Sequence, residues 1–594
     1  MLLLTGRIIM QSNQNPPYFY ELFIFCSGRI GRATFLKSMI LVILTYFNCI
    51  LLANYCELNS QNYYPCLNLI FGWCIFAITI KRLHDNDKSG YFLLWSLLPV
   101  VGPIYILYVL LRKRSSLVNS YGLRFEDVPY DYLTNVKLES KKNNLLIVDD
   151  VTCNNPIAVK NVITPTTNQE IIDKLINFKL PISISGGRFS MGGQTASPDT
   201  LHIDMRKMNK ILEFAPLKKY IRVQVGIRWC DIQRFIDQFE LSIKIMQTYA
   251  NFTVGGSLSV NAHGRYIGQG PIILSVREIV LILADGKLIT ASPIENQEYF
   301  YSAIGGYGGV GIIVEAELDL TENINLERTQ KKLSIDEYYK YFREHIRDNS
   351  MAVMHNGDIY PPGYKRVNAV TWEQTLKPTT TKTRLQVIKK IRLSYRYFLW
   401  AIAETPFGKW RREFIVDKLS YMGHKVHSKN YEASYDVSEL TPIVTNKKFW
   451  ELQEYFIPIE QFDQFTKLMK NILQRYNVNA LNISIRHAKS DSGSYLAWAR
   501  EEVFAFVLYF KQFYGEEAQT KVGIWTRELI DAVISCNGTY YLPYQIFATY
   551  EQFNRAYPDA QKFFEFKQHV DPTYRFRNKL WDTYYLPYFV KEIK

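Results

Sequence analysis

The sequence predicts an α+β protein of several domains with a small helical membrane domain at its front, and three observations carry that expectation. Its 594 residues are about four times the ~150 of a typical domain. Long apolar runs crowd into the part before Leu111, and glycine-rich loops joined to short strand patterns begin after Pro156.

Composition excludes several classes. Hydrophobic residues at 47% and aromatic residues at 15% supply apolar surface for sizeable cores, and 21% charged residues are too few for a disordered chain. The 70 basic and 56 acidic residues leave +14, a balance suited to anionic partners such as lipid or phosphate. Nucleic acid is disfavoured, because no basic helix or aromatic-basic repeat accompanies the charge. Of the 8 cysteines, Cys26, Cys49, Cys56, Cys66 and Cys74 fall early, and no CxxC or CxxxH spacing occurs. Neither a disulfide framework nor a metal site is therefore expected, and unpaired thiols suit a reducing compartment.

The first apolar run, Phe35 to Tyr55, carries one charge and matches the ~20 residues that cross a bilayer. A second runs from Pro65 to Ile80 and a third from Tyr91 to Leu111, the last broken by Pro99 and Pro103. No cleavable signal peptide fits, since the first run begins late and no small-residue cleavage site follows it. Cations flank the runs at Arg29 and Arg32, at Lys81, Arg82 and Lys88, and at Arg112, Lys113 and Arg114. The positive-inside rule wants all three groups cytoplasmic, which three full crossings cannot satisfy; a re-entrant third run can, leaving the rest of the chain in the cytoplasm. The strings SGRIGRATF, KRLHDNDKSGYF and NSYG together resemble DUF805, a bacterial inner-membrane domain family of unknown function, over roughly residues 20–122. The resemblance implies a multi-pass inner-membrane protein and adds no activity; His84 and Asp85 fit a proton relay or, more commonly for such a loop, solvated charges, and no role is assigned to them.

Residues 123–150 read as a polar linker containing LESKKNNLL. A strand near Val162 and Ile163 follows, then a helix that Thr167 and Glu170 cap at capping-box spacing, then the strand PISIS. That strand enters SGGRFSMGGQT, whose unobstructed backbone amides can wrap a diphosphate. Neither GxGxxG opening a helix nor GK[ST] is present, so Rossmann and P-loop sites are excluded. A second loop, TVGGSLSVNAHGRYIGQG, precedes a hairpin turning at Asp285-Gly286, and a third glycine cluster begins at Ala303. Together the three loops resemble the two-subdomain FAD-binding module of the vanillyl-alcohol oxidase and p-cresol methylhydroxylase (PCMH) type, placed at 151–325. The resemblance implies that Gly186, Gly187, Arg188, Ser190, Met191 and Gly192 line the FAD diphosphate. Gly255, Gly256, Ser257, Ser259, Asn261, His263, Gly264 and Gly311 are implied as further cofactor contacts. Many relatives place a flavin-linking histidine where this chain has Phe189, and phenylalanine has no nucleophilic nitrogen, so noncovalent FAD is expected.

Residues 326–594 read as an α+β substrate, or cap, domain. Its last stretch, with a YP pair and Asp571 to Phe576 as DP-x-x-x-F, resembles the C-terminus of aldonolactone oxidases, alditol oxidases and the decaprenylphosphoryl-ribose oxidase. The strand NVNALNISIRHAKSD sets Ser484, Arg486 and Ala488 on one face. Polyol-oxidising relatives offer Glu-x-Arg there and a lysine where Tyr544 stands, so Ser484 and Tyr544 are departures. The implied chemistry removes a hydride from a CH–OH carbon to flavin N5, with Arg486, Tyr544, Tyr541 and His487 as candidate catalytic groups. A tyrosinate base would need its pKa lowered by Arg486 or Lys489.

The reading is a membrane-anchored, FAD-dependent oxidoreductase of a sugar-like or lipid-linked sugar substrate, reoxidised by a quinone, oxygen or a protein. Two alternatives stay open. One is a component of a two-enzyme epimerase that works with a partner reductase, and the other is a flavin-fold binding or scaffold protein without turnover.

Overall fold

The computed structural model describes residues 32–55, 60–85, 118–119, 122–123, 146–386, 401–436 except 406, and 448–593 except 492. The third apolar run, its flanking cations and most of the linker lie outside the described residues.

The described residues fall into two compact units. The first holds α1 (Arg32–Tyr55), α2 (Ser60–Asp85) and the paired β1 (Val118–Asn119) and β2 (Gly122–Leu123). Phe35, Val42, Cys74 and Ile78 pack the two helices together, while Ile40, Leu44, Phe47, Leu69 and Ile70 face outward. Among the described residues no helix is long and apolar enough to cross a membrane.

The second unit opens on an antiparallel pair, β3 (Leu146–Val148) with β4 (Ile157–Val159). A small parallel sheet follows in the order β5-β7-β6, from β5 (Asn161–Ile163), β6 (Ile182–Ser185) and β7 (Leu201–Asp204). The crossover helix α3 (Asn168–Asn177) starts where the Thr167 side chain accepts the Glu170 amide, and it buries Ile171 and Leu175. Next comes a six-stranded sheet ordered β12-β11-β13-β9-β8, with β10 on β13. Its strands are β8 (Ile211–Ala215), β9 (Tyr220–Gln224), β10 (Leu241–Ile243), β11 (Val276–Ile282), β12 (Leu288–Ala291) and β13 (Ile312–Glu322). Between them lie α4 (Trp229–Ile236), α5 (Val254–Ser259) and α6 (Gln297–Ala303). The β11–β12 turn has Gly286 at φ +89°, a conformation glycine adopts without strain.

An eight-stranded sheet follows, ordered β17-β14-β16-β15-β19-β20-β18-β21. It comprises β14 (Asn325–Ser334), β15 (Ala352–Ile359), β16 (Arg366–Gln374), β17 (Val426–Ser428), β18 (Lys448–Pro458), β19 (Ala480–Ala488), β20 (Val503–Phe513) and β21 (Thr539–Tyr540). Helices α7 (Ile335–His345), α8 (Phe462–Arg475) and α9 (Glu516–Ser535) cover one face, where Phe342 and Phe462 meet Phe504 and Trp525 meets Phe510.

The C-terminal helices α10 (Ala560–Val570) and α11 (Lys579–Tyr584) return to the glycine-rich part of the chain. Phe563 stacks on Trp581 at 4.8 Å, and a Cβ added at Gly309 would strike both side chains. The buried Lys567 ammonium donates to Gly309 O, Asp571 Oδ2 and Phe576 O at 2.7, 3.0 and 3.0 Å. Extended backbone after Asp571 then pairs with β6, through Ile182 N to Arg575 O and Arg577 N to Ile182 O. The whole is an α+β architecture, and the second unit has one large apolar core with two smaller clusters, around Trp450 and around Val148.

Candidate functional site

The strand β6 runs straight into the first glycine loop. Among the described residues the backbone amides of Gly187, Arg188, Phe189 and Ser190 meet no acceptor. Arg188 sits at φ +60°. Consecutive free amides around a left-handed residue form a nest for anionic oxygens, and a diphosphate is such a group. The Arg188 side chain is buried and donates to Asp204 Oδ2 at 2.8 Å and Ser185 Oγ at 3.3 Å, leaving Nη1 as a buried donor without a partner. The next residues are already used by the protein: Met191 N donates to Pro543 O at 2.7 Å, and Gly192 N to Gln194 Oε1 at 2.9 Å. The expected cradle is therefore shorter than 186–192, because Met191 and Gly192 have given their amides to the cap and to Gln194.

The second loop lies directly against the first. A Cβ at Gly186 would collide with Thr253 Oγ1, and Phe189 stacks on Phe252 at 4.3 Å. Thr253 caps α5, which carries Gly255, Gly256, Ser257 and Ser259. Ser257 Oγ is already committed to Thr253 O and to the Trp229 indole. From the third cluster, Gly305 N donates to Leu258 O and Tyr307 N to Ser259 O, each at 3.0 Å. Gly311 is not brought to these loops: its nearest atoms belong to Ile282, Leu283 and Leu281 at the end of β11.

Several bonds fix the second loop to the eight-stranded sheet and the segments beside it, His355 N to Arg265 O and Ile267 N to Val353 O among them, and four gather near Glu454. Asn261 Nδ2 donates to Asp491 Oδ2 at 2.7 Å, Trp498 Nε1 to Asn261 O at 2.9 Å and Tyr541 OH to Val260 O at 2.9 Å. The fourth joins His263 Nε2 to Glu454 Oε1 at 2.7 Å, while His263 Nδ1 lies 3.2 Å from Gly264 O. Phe456, Trp498 and Tyr541 surround the imidazole. Glu454 Oε2 accepts from Tyr544 OH at 3.3 Å. Burial acts to raise the Glu454 pKa, but His263, Arg486 and Tyr544 outweigh it and hold the carboxylate below its ordinary range. Arg486 Nε is buried with no hydrogen-bond partner.

The expected catalytic set is thus only partly assembled. Arg486, Tyr544, Tyr541 and His263 converge on Glu454. His487 does not: the next residue of β19 points to the opposite face, where its ring packs on Phe342 and Nε2 bonds Glu502 Oε1 at 2.7 Å. A tyrosinate base is also corrected. Burial first, then Glu454, push the Tyr544 phenol well above its ordinary pKa, and burial does the same to Tyr541; the opposing field of Arg486 on Tyr544 is too weak to reverse this. Sequence reasoning missed Glu454 altogether. Its one signal is an acidic residue inside a strand rich in aromatic and aliphatic residues, in KFWELQEYFIP, a signal it shares with Glu451. β18 places the Glu454 carboxylate within the field of Arg486.

A diphosphate nest beside a buried polar cluster suits a diphosphate-bearing cofactor. Residues 159–292 match the FAD binding domain family, and residues 23–123 match the protein family of unknown function DUF805. The chain thus carries an FAD binding domain of the PCMH type, with FAD as cofactor, and a DUF805 domain. It is 21% identical to the L-gulonolactone oxidase of Mus musculus over 67% of this chain and 88% of that protein. It is 25% identical to cytokinin dehydrogenase 9 of Oryza sativa subsp. japonica over 34% of this chain and 39% of that protein. With cytokinin dehydrogenase 1 of Arabidopsis thaliana it shares 31% identity over 24% of this chain and 25% of that protein. The chain thus spans about two fifths or less of these two dehydrogenases.

Proposed function

We propose that this chain oxidises the CH–OH carbon of a sugar-like or lipid-linked sugar at the membrane surface. In this reading residues 20–122 anchor the protein in a bacterial inner membrane, 123–150 link, 151–325 hold FAD and 326–594 cap it on the cytoplasmic side. The observation that carries the chemistry is a buried, ionised Glu454 beside the unpaired Arg486 Nε, on the sheet face bonded to the second glycine loop. FAD, when bound, supplies the hydride acceptor. The free amides of Gly187 to Ser190 and Arg188 Nη1 hold its diphosphate. Arg486 donates from Nε to the substrate oxygen and orients the carbon. Glu454 takes the hydroxyl proton, and His263 holds that carboxylate in place. Tyr544 stays protonated, so it donates and does not act as the base. The aromatic wall of Phe456, Trp498 and Tyr541 excludes water from the pair.

Anaerobic bleaching of the flavin by a panel of alditols, aldonolactones, polyprenyl-phosphate sugars and cytokinins tests this reading. Bleaching by a hydroxyl donor supports it. Bleaching by a cytokinin alone would replace the CH–OH assignment, and flavin reduced only by dithionite would favour a binding protein. A keto product that persists until a reductase is added would support the two-enzyme epimerase.

A further inference from the structure

The segment 407–422 is a helix turned inside out. It runs through Gly408–Arg411, a π-turn at Arg412–Val416 and Asp417–Ser420. Its polar side faces the protein: Lys409 Nζ donates to Asn479 at 2.8 Å, and Arg412 donates to Leu481 O at 2.7 Å and Asn482 Oδ1 at 3.1 Å. Glu413 meets Arg366 at 2.6 Å, and Asp417 accepts from Tyr360 OH at 2.8 Å. Its apolar side faces out. Phe407, Trp410, Phe414, Ile415, Leu419 and Met422 recur at helical spacing and are between 40% and 78% exposed. A surface helix of a globular protein normally does the reverse, and a contiguous patch of this kind marks an interaction surface. Other strongly exposed apolar residues, Leu217, Ile294 and Leu376, lie far from one another in sequence, in separate turns.

Charge decides what covers it. The two acids of the segment are turned inward and paired, Glu413 with Arg366 and Asp417 with Arg412, whereas Lys418 is exposed and the Lys332 ammonium sits on the Glu413 carbonyl of the same helix. An exposed Trp and Phe stripe with a cationic rim is the pattern of a helix that lies in a lipid interface. Self-pairing across a two-fold axis would set like-charged rims against each other.

We propose that this helix docks the cap onto an anionic lipid bilayer, a second membrane contact separate from the N-terminal helices. It stands whether or not the substrate is a sugar. The helix is bonded to β19 at Leu481 and Asn482, four residues from Arg486, roughly 13 Å along a strand. Docking there brings the bilayer surface to the cap.

The test uses the full chain reconstituted in phosphatidylcholine–phosphatidylglycerol vesicles with brominated acyl chains, comparing wild type with Trp410→Phe. The emission difference between them isolates Trp410, and FAD absorbance checks folding. This difference should fall about twofold or more when the lipids are brominated, as for a side chain in the acyl boundary. Quenching should weaken in phosphatidylcholine alone, and Lys418→Glu should weaken it in the anionic vesicles. A Trp410 emission untouched by bromine overturns the proposal, and shielding from iodide without bromine quenching would show that protein covers the patch. Equal quenching in both lipids would remove the requirement for anionic headgroups.

Discussion

Glu454 joins His263, Tyr544 and Arg486 although the four come from four separate stretches of chain. If it accepts the substrate proton, Glu454→Gln should slow flavin reduction while FAD content persists. A lost charge-assisted hydrogen bond of about 1.5 to 3 kcal/mol corresponds to roughly 10 to 150-fold, and Arg486→Ala should fall in the same range. Stopped-flow bleaching reads both, and loss of FAD from either variant would point to a cofactor role. At Phe189 the stacked ring offers no nucleophile, so acid precipitation should leave the flavin in the supernatant; fluorescence that stays with the denatured band on a gel would contradict this. His202 gives a pH signature. Burial, then Arg188, push its pKa from 6.5 to about 3, while Ser183 and Ser185 bond the neutral ring. The unfolded chain binds the proton below pH 6.5 and the folded one does not, so this group's contribution is complete above pH 6.5 and is lost as pH falls toward 3. Thermal melts of wild type and His202→Gln should therefore converge in favour of the variant on acidification, by on the order of 3 kcal/mol between pH 6.5 and 4. A constant difference would show that His202 titrates normally.

At the scale of elements, local signals were readable wherever they depend on near neighbours. The Thr167 cap, the strand before the first glycine loop and the Asp285-Gly286 turn all follow from residues a few positions apart. The loop amides were not readable in the same way. Glycine count suggested a cradle over 186–192, but which amides remain free depends on Pro543 and Gln194, one of them more than three hundred residues away. The return of α10 and the segment after it works similarly. Lys567 satisfies Gly309, Asp571 and Phe576 with no exposure to water. Replacing it by Met leaves Asp571 buried without its cation and should cost about 3 to 5 kcal/mol, measured by urea unfolding followed through flavin release. A loss under about 1 kcal/mol would mean that water reaches Asp571.

For the whole molecule, the proposed anchor and its basic flanks lead us to expect the flavin-bearing part on the cytoplasmic side. A reporter that is active only in the periplasm, fused to the C-terminus, should stay silent, and a strong signal would reverse the topology. Sequence alone determined the class: glycine loops in a strand context announce an FAD module, and an apolar front with SGRIGRATF and KRLHDNDKSGYF announces DUF805. Both are patterns of residues close together in the chain, so they survive without knowledge of the fold. Tertiary structure alone decided which groups share the site. The period of two put Arg486 on a face, but only the folded sheet, with β20 between β19 and β18, shows that Glu454 joins it and that His487 is turned to the helices. It also decided that the stripe from Phe407 to Met422 faces outward, since an amphipathic pattern fixes two faces of a helix and only packing chooses which one is buried.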